Sequence, residues 1–517
     1  MSRPLLCLFV LGAVALGLPA AAFAQNVPTN FSSTPVVTGL GEPTSFAFLP
    51  DGRVLLTEQR TGAVRMVVGG HIAATNPVLA VPSLNSSGNE RGLLAIAIDP
   101  NWPASPYVYL YYSRIGSRMR LVRYEAIGDV SNPTGENLTL VNARLLMDDI
   151  PDNASNHNGG ALRFGPDDHL YLSIGEDADR CSAQDSTRLK GVLLRLKVSD
   201  VPPGAGAQVL RSLITPLDNP LSTPDSNAKL VYAYGFRNPY RFHVDPQTGL
   251  VYVADVGEIS LEEYDEVRAG DNLGWPFREG TEERAPGGCA EPGGIGASPY
   301  RAPIAEYTHS FGAAIMSAGV YRPPVGGTEI WPTEYWGDAF YTDYYTGYMW
   351  RIKNTAGSWA PAAPVAGQPS ADNWGLGFDS GSDYLVGPDG SMWWVQQFDP
   401  TFGSFSGSLN RIRYSGPAVS VPSAETGSLD LAAAPSPFTT STDLSFTLAR
   451  GGNVRLAVFD VGGREVTRLM DGAASAGRTR LTWNGTDGSG RSAAAGVYLA
   501  RLESAEGSRT VRVLKLR

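Results

Sequence analysis

The chain is poor in the residues that build metal clusters and redox handles. Three cysteines and five histidines are spread over 517 residues. No Cys-x-x-Cys-His haem motif occurs, so any electron-transfer role needs an acceptor outside the chain. Charge is sparse as well: 18% of the residues are charged, and 41 basic against 51 acidic side chains give a formal net charge of −10. That composition excludes a disordered polyelectrolyte and argues against nucleic-acid binding, which needs clustered positive charge. Beyond the N-terminus there is no run of roughly 20 apolar residues, so no internal membrane helix is expected. Turn residues, by contrast, are abundant. The 59 Gly and 38 Pro disfavour long helices, and a hydrophobic fraction of 43% suffices for a large core. An all-β chain is expected.

Residues 1–24 read as an export signal, with Arg3 as the positive start, an apolar stretch over 5–18, and small Ala22 and Ala24 at the cleavage positions. The alternative, a membrane anchor, is disfavoured because Gly12, Gly17 and Pro19 interrupt a run too short to span comfortably. The mature chain is expected to be exported, whether it stays periplasmic, reaches the cell surface or is secreted. Cys7 leaves with the signal. Cys181 and Cys289 then sit in an oxidising compartment, either bridged or as two separate thiols, since sequence does not give the distance between them.

One pattern recurs: an apolar strand, a turn containing Pro with Asp or Asn, and a second strand rich in Tyr, Val and Leu. It appears as FAFLPDGRVLLTE from Phe46, IAIDPNWPASPYVYLYYS from Ile96, LRFGPDDHLYLSIGE from Leu162, FHVDPQTGLVYVADVGE from Phe242 and YLVGPDGSMWWVQQ from Tyr384. DAFYTDYYTGYMWRI from Asp338 has the same rhythm with a different turn. Pro and Asp favour the first turn positions and Gly supplies positive φ, so each copy is expected to be a hairpin. Six such hairpins fit a six-bladed β-propeller over residues 30–416, with long insertions building a site on one face. The competing architecture is one large β-sandwich or two smaller ones. Residues 417–433, rich in Ser, Ala, Pro and Gly, read as a linker. Residues 434–517 contain short alternating strands (LSFTLA, NVRLAVFDV, TRLTW, GVYLARLE, TVRVLKL) and neither His nor Cys, as expected of a small immunoglobulin-like β-sandwich.

Three clusters carry candidate chemistry. His157 lies in PDNASNHNGGALRFGPD, where Gly159 and Gly160 permit close approach of backbone to a ligand, and a loop His serves as a general base near its ordinary pKa. The alternative is a histidine that only closes a loop. His169 and His243, inside the hairpins, are expected to be structural or exposed. Arg237 and Asn238, in GFRNPYRFHVDP, combine a guanidinium fork and an amide suited to carboxylate or quinone oxygens, or Arg237 simply braces the propeller through an ion pair. The acidic stretch DVGEISLEEYDEVRAGDNLGWP, residues 255–276, offers hard oxygen ligands suited to calcium, although its spacing matches no EF-hand; the alternative is a solvated acidic loop.

Together, the stretches ERGLLAIAIDPNW, NHNGGALRFGPDDHLYLSIGE, GFRNPYRFHVDP, VADVGEISLEEYDEV and GDNLGWP resemble the glucose/sorbosone dehydrogenase family over roughly residues 38–414. PIAEYTHSFGAAIMSAGVYR and WGDAFYTDYYTGYMWRI resemble the branch that includes hedgehog-interacting-protein-like propellers, whose members need not oxidise sugars. The resemblance implies a soluble quinoprotein using pyrroloquinoline quinone (PQQ) and calcium to oxidise an aldose or related polyol. It makes His157 the base and places Glu90, His157, Arg237 and Asn238 around the cofactor. One calcium is implied at the carbonyls of Gly257 and Glu258, and another at the Glu263 carboxylate and the carbonyl of Leu273. Its implied partners are a small sugar and an external electron acceptor.

Several positions depart from the family pattern. Glu90 stands where Gln is usual, Asn156 precedes the base in place of Asp, Glu258 follows Gly257 in place of Pro, and Ser380 and Ser382 replace an arginine pair that holds cofactor carboxylates. Two further readings are therefore carried: a non-enzymatic propeller binding a glycan or protein, and a calcium-dependent lactonase-type hydrolase. The C-terminal region, PSPFTTSTDLSFTLARGGNVRLAVFDVGGREV and WNGTDGSGRSAAAGVYLARLE, resembles the immunoglobulin-like domain of flagellar hook-capping proteins, and implies a contact with the cell surface or secretion machinery.

Overall fold

The computed structural model describes residues 25–291, 300–324, 326–399, 406–416, 430–436, 438–448, 452–460, 464–474, 477–505 and 507–516. The expected signal, residues 1–24, and most of the expected linker lie outside them. The chain divides into two compact units at Val419/Ser420.

The first unit is a ring of six antiparallel sheets. Blade 1 starts with Pro43–Phe48, blade 2 with Leu93–Ile98, blade 3 with Leu162–Phe164, blade 4 with Pro239–Val244, blade 5 with Ile315–Val320 and blade 6 with Gly381–Val386. These first strands pack against those of neighbouring blades around the ring. Five of the six sequence hairpins are the first and second strands of a blade. DAFYTDYYTGYMWRI is instead the second and third strands of blade 5, Ala339–Asp343 and Met349–Thr355, because Ile315–Val320 supplies the first. The turns form as their chemistry dictates. In the last PDG turn Gly390 takes φ +92°, and Asp389 Oδ1 accepts the Ser391 N–H at 3.0 Å.

The outermost strand of blade 6 comes from the other end of the chain. Phe31–Gly41 pairs antiparallel with Ser406–Tyr414, setting Phe31 opposite Tyr414. Phe31 then anchors an aromatic cluster, with ring centroids 5.0 Å from Trp331, 5.3 Å from Tyr335 and 5.1 Å from Trp374. Apolar clusters of this kind fill the wedges between adjacent blades. The core is thus distributed around the ring.

The axis itself is polar and packed. Arg241 is fully buried and reaches across the ring: Nε donates to Ser382 O at 2.6 Å, Nη2 to Thr44 O at 2.7 Å and Leu94 O at 3.3 Å, and Nη1 to Gly160 O. One guanidinium on blade 4 therefore ties backbone of blades 1, 2 and 6 and the segment leading into blade 3. Asp383 pairs with Arg163 and accepts from Ser45 Oγ at 2.8 Å. His243, expected to be structural or exposed, is buried here, with Nδ1 2.9 Å from Ser317 Oγ and Nε2 2.5 Å from Tyr384 O.

Burial, reinforced by Arg163, pushes the His243 pKa from its ordinary 6.5 down to about 4. The folded state thus keeps the imidazole neutral while the unfolded chain takes up the proton as pH falls. Stability that is intact above pH 6.5 is lost as pH drops toward 4, by about 3 kcal/mol from this group. Urea unfolding at neutral and acid pH checks this: His243→Gln should remove that portion of the acid sensitivity, and an unchanged profile would dismiss it.

Cys181 and Cys289 form a disulfide with Cα atoms 5.3 Å apart, closing a loop of sequence separation 108. It joins the turn after the second strand of blade 3 to the long excursion of blade 4. By constraining the unfolded chain it is expected to contribute about 2–4 kcal/mol. Thermal unfolding with and without reductant, and of Cys181→Ser, should show a matching loss; superimposable curves would refute it.

The second unit is a two-sheet sandwich. Asp430–Ala434, Thr442–Leu448 and Gly477–Trp483 form one sheet, and Glu465–Ala474, Gly452–Asp460, Gly496–Ser504 and Gly507–Lys515 the other. Asp430–Ala434 takes the last residues of the expected linker into the sandwich, where pairing with Thr442–Leu448 satisfies its backbone. Leu444, Phe446, Leu456, Val458, Trp483, Leu502 and Val513 fill the core between the sheets.

Candidate functional site

A cavity of about 540 Å³ opens beside the first strands of blades 4, 5 and 6. That volume suits a small organic ligand. Amides (Gln59, Asn89, Asn238, Gln397) and aromatic rings (Tyr240, Tyr344, Tyr345, Phe398) make up most of its wall. Arg60 and Glu90 also line it, and Arg60 Nε donates to Glu42 at 2.8 Å. Tyr344 Oη donates to Gln397 Oε1 at 2.7 Å, and Gln397 in turn donates to Gln59, so these walls brace each other across blades.

Beside the cavity the first two sequence clusters converge. Asn238 Oδ1 accepts the Gly159 N–H at 3.0 Å, while its Nδ2 donates to Glu90 Oε2 at 3.2 Å. Glu90 Oε2 also accepts the Asn158 N–H at 3.3 Å. Gly175 has to be glycine here, because a Cβ would sit 2.2 Å from His157 O and 2.9 Å from Asn238 Oδ1. His157 takes φ +57°, in the left-handed region uncommon for residues other than glycine, and its Nδ1 bonds the buried Glu176. Glu176 follows the blade 3 strand Leu170–Ile174, and its own N–H donates to Arg237 O at 2.9 Å. A carboxylate on Nδ1 fixes the tautomer that leaves Nε2 free to accept a proton. The sequence drew attention to Asn156, the residue before His157; Glu176, 19 residues on, is the residue that bonds the His157 ring.

Arg237 and Asn238 present their backbone N–H groups to Asp255, at 2.8 and 2.6 Å. Burial pushes Asp255 up to about 7, although these donors oppose the shift. Arg237 Nη1 donates to the carbonyl of Val256, a cavity residue, at 2.9 Å. Its Nε is buried with no hydrogen-bond partner among the described residues.

The expected calcium residues separate into two places. At Gly257 and Glu258 the backbone folds into a nest around Glu279, whose Oε1 accepts the N–H groups of Glu258, Ile259, Ser260 and Leu261 at 2.6, 2.8, 3.0 and 3.4 Å. Despite burial, these donors and Arg284 hold the Glu279 carboxyl below its usual range. The Glu258 carboxylate pairs with Arg284, so only its backbone remains for a ligand. Glu263, on the third strand of blade 4, is buried and accepts the Gly280 N–H at 3.0 Å. Burial and neighbouring Asp265 raise its pKa well above normal, and both carboxylate oxygens of Asp265 lack hydrogen-bond partners among the described residues. Leu273 lies in the core between blades 3 and 4 with its N–H on Tyr234 O at 2.9 Å. Among the described residues no three His, Cys, Asp or Glu side chains gather as a metal cluster. Hard oxygen donors are present in both places, and the unpartnered Asp265 oxygens beside Glu263 fit a divalent cation completed by carbonyls. Glu279 carried no motif that marked it; Asp265 lies within the acidic stretch 255–276, but only the fold sets its unpartnered oxygens beside Glu263.

The profile of the Glucose / Sorbosone dehydrogenase family matches residues 40–322, and that of the FlgD Ig-like domain matches residues 436–508. An aldose sugar dehydrogenase of Escherichia coli is 27% identical over 239 residues, covering 46% of this chain and 60% of that protein. Human hedgehog-interacting protein is 28% identical over 228 residues, covering 41% of this chain and 31% of its own length. The solved PQQ-bound aldose sugar dehydrogenase of Streptomyces coelicolor superposes with a TM-score of 0.53 at 25% identity, covering 75% of this chain and all of that one.

Proposed function

We propose, since this chain belongs to the glucose/sorbosone dehydrogenase family, that it oxidises a hydroxyl of an aldose or related polyol in the cavity described above, using PQQ and calcium. The observation that carries this reading is the His157–Glu176 couple beside an amide- and aromatic-lined cavity. The unpartnered Arg237 Nε fits an anionic or quinone oxygen, and the aromatic walls fit a planar ring. Glu90, Arg237 and Asn238 would hold the cofactor, and the carbonyls of Gly257 and Glu258, with Glu263 and Leu273 further off, would hold calcium. When bound, PQQ supplies a quinone that accepts hydride from the sugar's carbinol carbon.

The chain's own contribution is proton handling and charge. His157 Nε2 takes the hydroxyl proton as the C–H bond breaks, and the buried Glu176 carboxylate stabilises the imidazolium that results. Arg237 places positive charge where negative charge develops during reduction. Asn238, locked by Gly159 and Glu90, keeps the wall in place. The electrons leave to an external acceptor.

Calorimetric titration of PQQ into the calcium-loaded protein, followed by dye-linked activity on a panel of aldoses, tests this. Binding with sugar-dependent dye reduction sustains it. A second reading, a propeller that binds a neutral glycan without turnover, is favoured by one observation: the cavity-lining Arg60 is already neutralised by Glu42. Sugar binding without PQQ binding would establish that reading instead. Export is part of the same proposal, supported by the expected signal at residues 1–24 and by a disulfide of the kind that persists outside the cytosol. Cell fractionation tests it, as it tests surface attachment through the FlgD-like module.

A further inference from the structure

Glu90 occupies an unusual position for a carboxylate expected to face an anion. It lines the cavity, and the polar groups turned toward its carboxylate are neutral donors: the Asn158 N–H at 3.3 Å, Asn238 Nδ2 at 3.2 Å and the His157 backbone. The cations of neighbouring elements are engaged elsewhere. Arg60 pairs with Glu42 and donates to the carbonyls of Ser86 and Gly88, Arg91 pairs with Asp152 at 2.8 Å, and Lys190 pairs with Asp177 at 3.0 Å. The titratable groups that face Glu90 are the His157 ring, on the segment entering blade 3, and the Tyr240 hydroxyl, at the start of blade 4. Arg237, the cation that the reading above sets against the cofactor, is not among the groups that stabilise the Glu90 carboxylate, so a polycarboxylate entering this cavity still brings like charge to Glu90, and like charges in a partly desolvated site repel strongly.

We propose that Glu90 takes up a proton when the cavity binds an anionic cofactor, so that PQQ loading is coupled to proton uptake and weakens as pH rises. The inference rests on the cofactor reading above. The neutral carboxyl gains a donor, able to bond a quinone oxygen, where the carboxylate has acceptors alone. Burial already raises the Glu90 pKa, against the pull of His157 and the surrounding donors, so the protonated form is within reach before any ligand arrives. Glutamate at this position then acts as a proton-dependent version of the glutamine usual in the family.

The test is calorimetry of PQQ binding to the full chain with calcium, between about pH 5.5 and 8.5, in two buffers of different ionisation enthalpy so that protons are counted. The wild type is expected to take up close to one proton and to lose about tenfold in affinity per pH unit above the folded pKa of Glu90. Glu90→Gln should flatten the profile, abolish the uptake and bind tighter than wild type at the alkaline end; its thermal melt confirms folding. A pH-independent wild-type affinity would overturn the inference and leave the cofactor reading standing. Uptake that persists in Glu90→Gln would assign the proton to His157 and overturn it as well. If neither protein binds PQQ at any pH, both fail.

Discussion

Replacing His157 with alanine is expected to lower kcat for aldose oxidation by about 10²–10⁴-fold while leaving PQQ affinity within a few-fold, because it removes the group that takes the hydroxyl proton. Glu176→Gln separates positioning from basicity. It keeps the shape of the buried contact but removes the charge that orients Nδ1 and stabilises the imidazolium, so kcat should fall with KM nearly unchanged. Stopped-flow reduction of the PQQ-loaded protein by sugar reads the chemical step directly. Unchanged turnover in His157→Ala would remove this residue from the mechanism, and an unchanged kcat in Glu176→Gln would reduce the couple to a loop contact.

The largest expected loss of stability is at Arg241. Arg241→Met fills similar volume but withdraws donors from carbonyls at Thr44, Leu94, Gly160 and Ser382, and leaves Asp383 with Arg163 as its remaining cationic partner. Removing one partner from a buried ionic network typically costs about 3–5 kcal/mol. Urea unfolding followed by circular dichroism should show a lowered midpoint of that order. Arg241→Lys keeps the charge but lacks the planar fork that spans the axis, and should recover only part of the loss. A cost below about 1 kcal/mol for Arg241→Met would mean that blade packing alone holds the ring, as the interblade apolar clusters would then carry the stability.

Local chemistry made much of the fold legible. The PDG and related turns, each flanked by alternating apolar residues, announce hairpins without reference to the rest of the chain, and their number gave the ring. Ile315–Val320 was harder to place because no such turn joins it to Ala339–Asp343; residues 321–338 intervene. In the sandwich, Glu465–Ala474 alternates too weakly to be read as a strand and is held by pairing with Gly452–Asp460. The site divides in the same way. His157, Asn238 and Glu90 were found because each sits in a recognisable motif, and the structure brings them together. Glu176, Glu279 and Arg241 act through partners on other segments; Arg241 meets carbonyls 81 to 197 residues away. No short window of sequence contains both halves of the Arg241 contacts; His157 and Glu176 do share the stretch NHNGGALRFGPDDHLYLSIGE, but only the folding of that hairpin brings the two side chains together. The reading of His243 as structural or exposed left its burial open for that reason: the first strands of blades 5 and 6, which cover it, lie far down the chain.

The pairing of Phe31–Gly41 with Ser406–Tyr414 also has a meaning for the order of events during synthesis. The ring cannot be sealed until the far partner has been made. At ordinary elongation rates of about 5–20 residues per second, the early strand waits on the order of 20–80 s for it. Throughout that interval blade 6 is incomplete and Phe31 lacks the aromatic pocket formed by Trp331, Tyr335 and Trp374. A nascent chain bound for export would therefore remain unsealed, and threadable, for most of its synthesis.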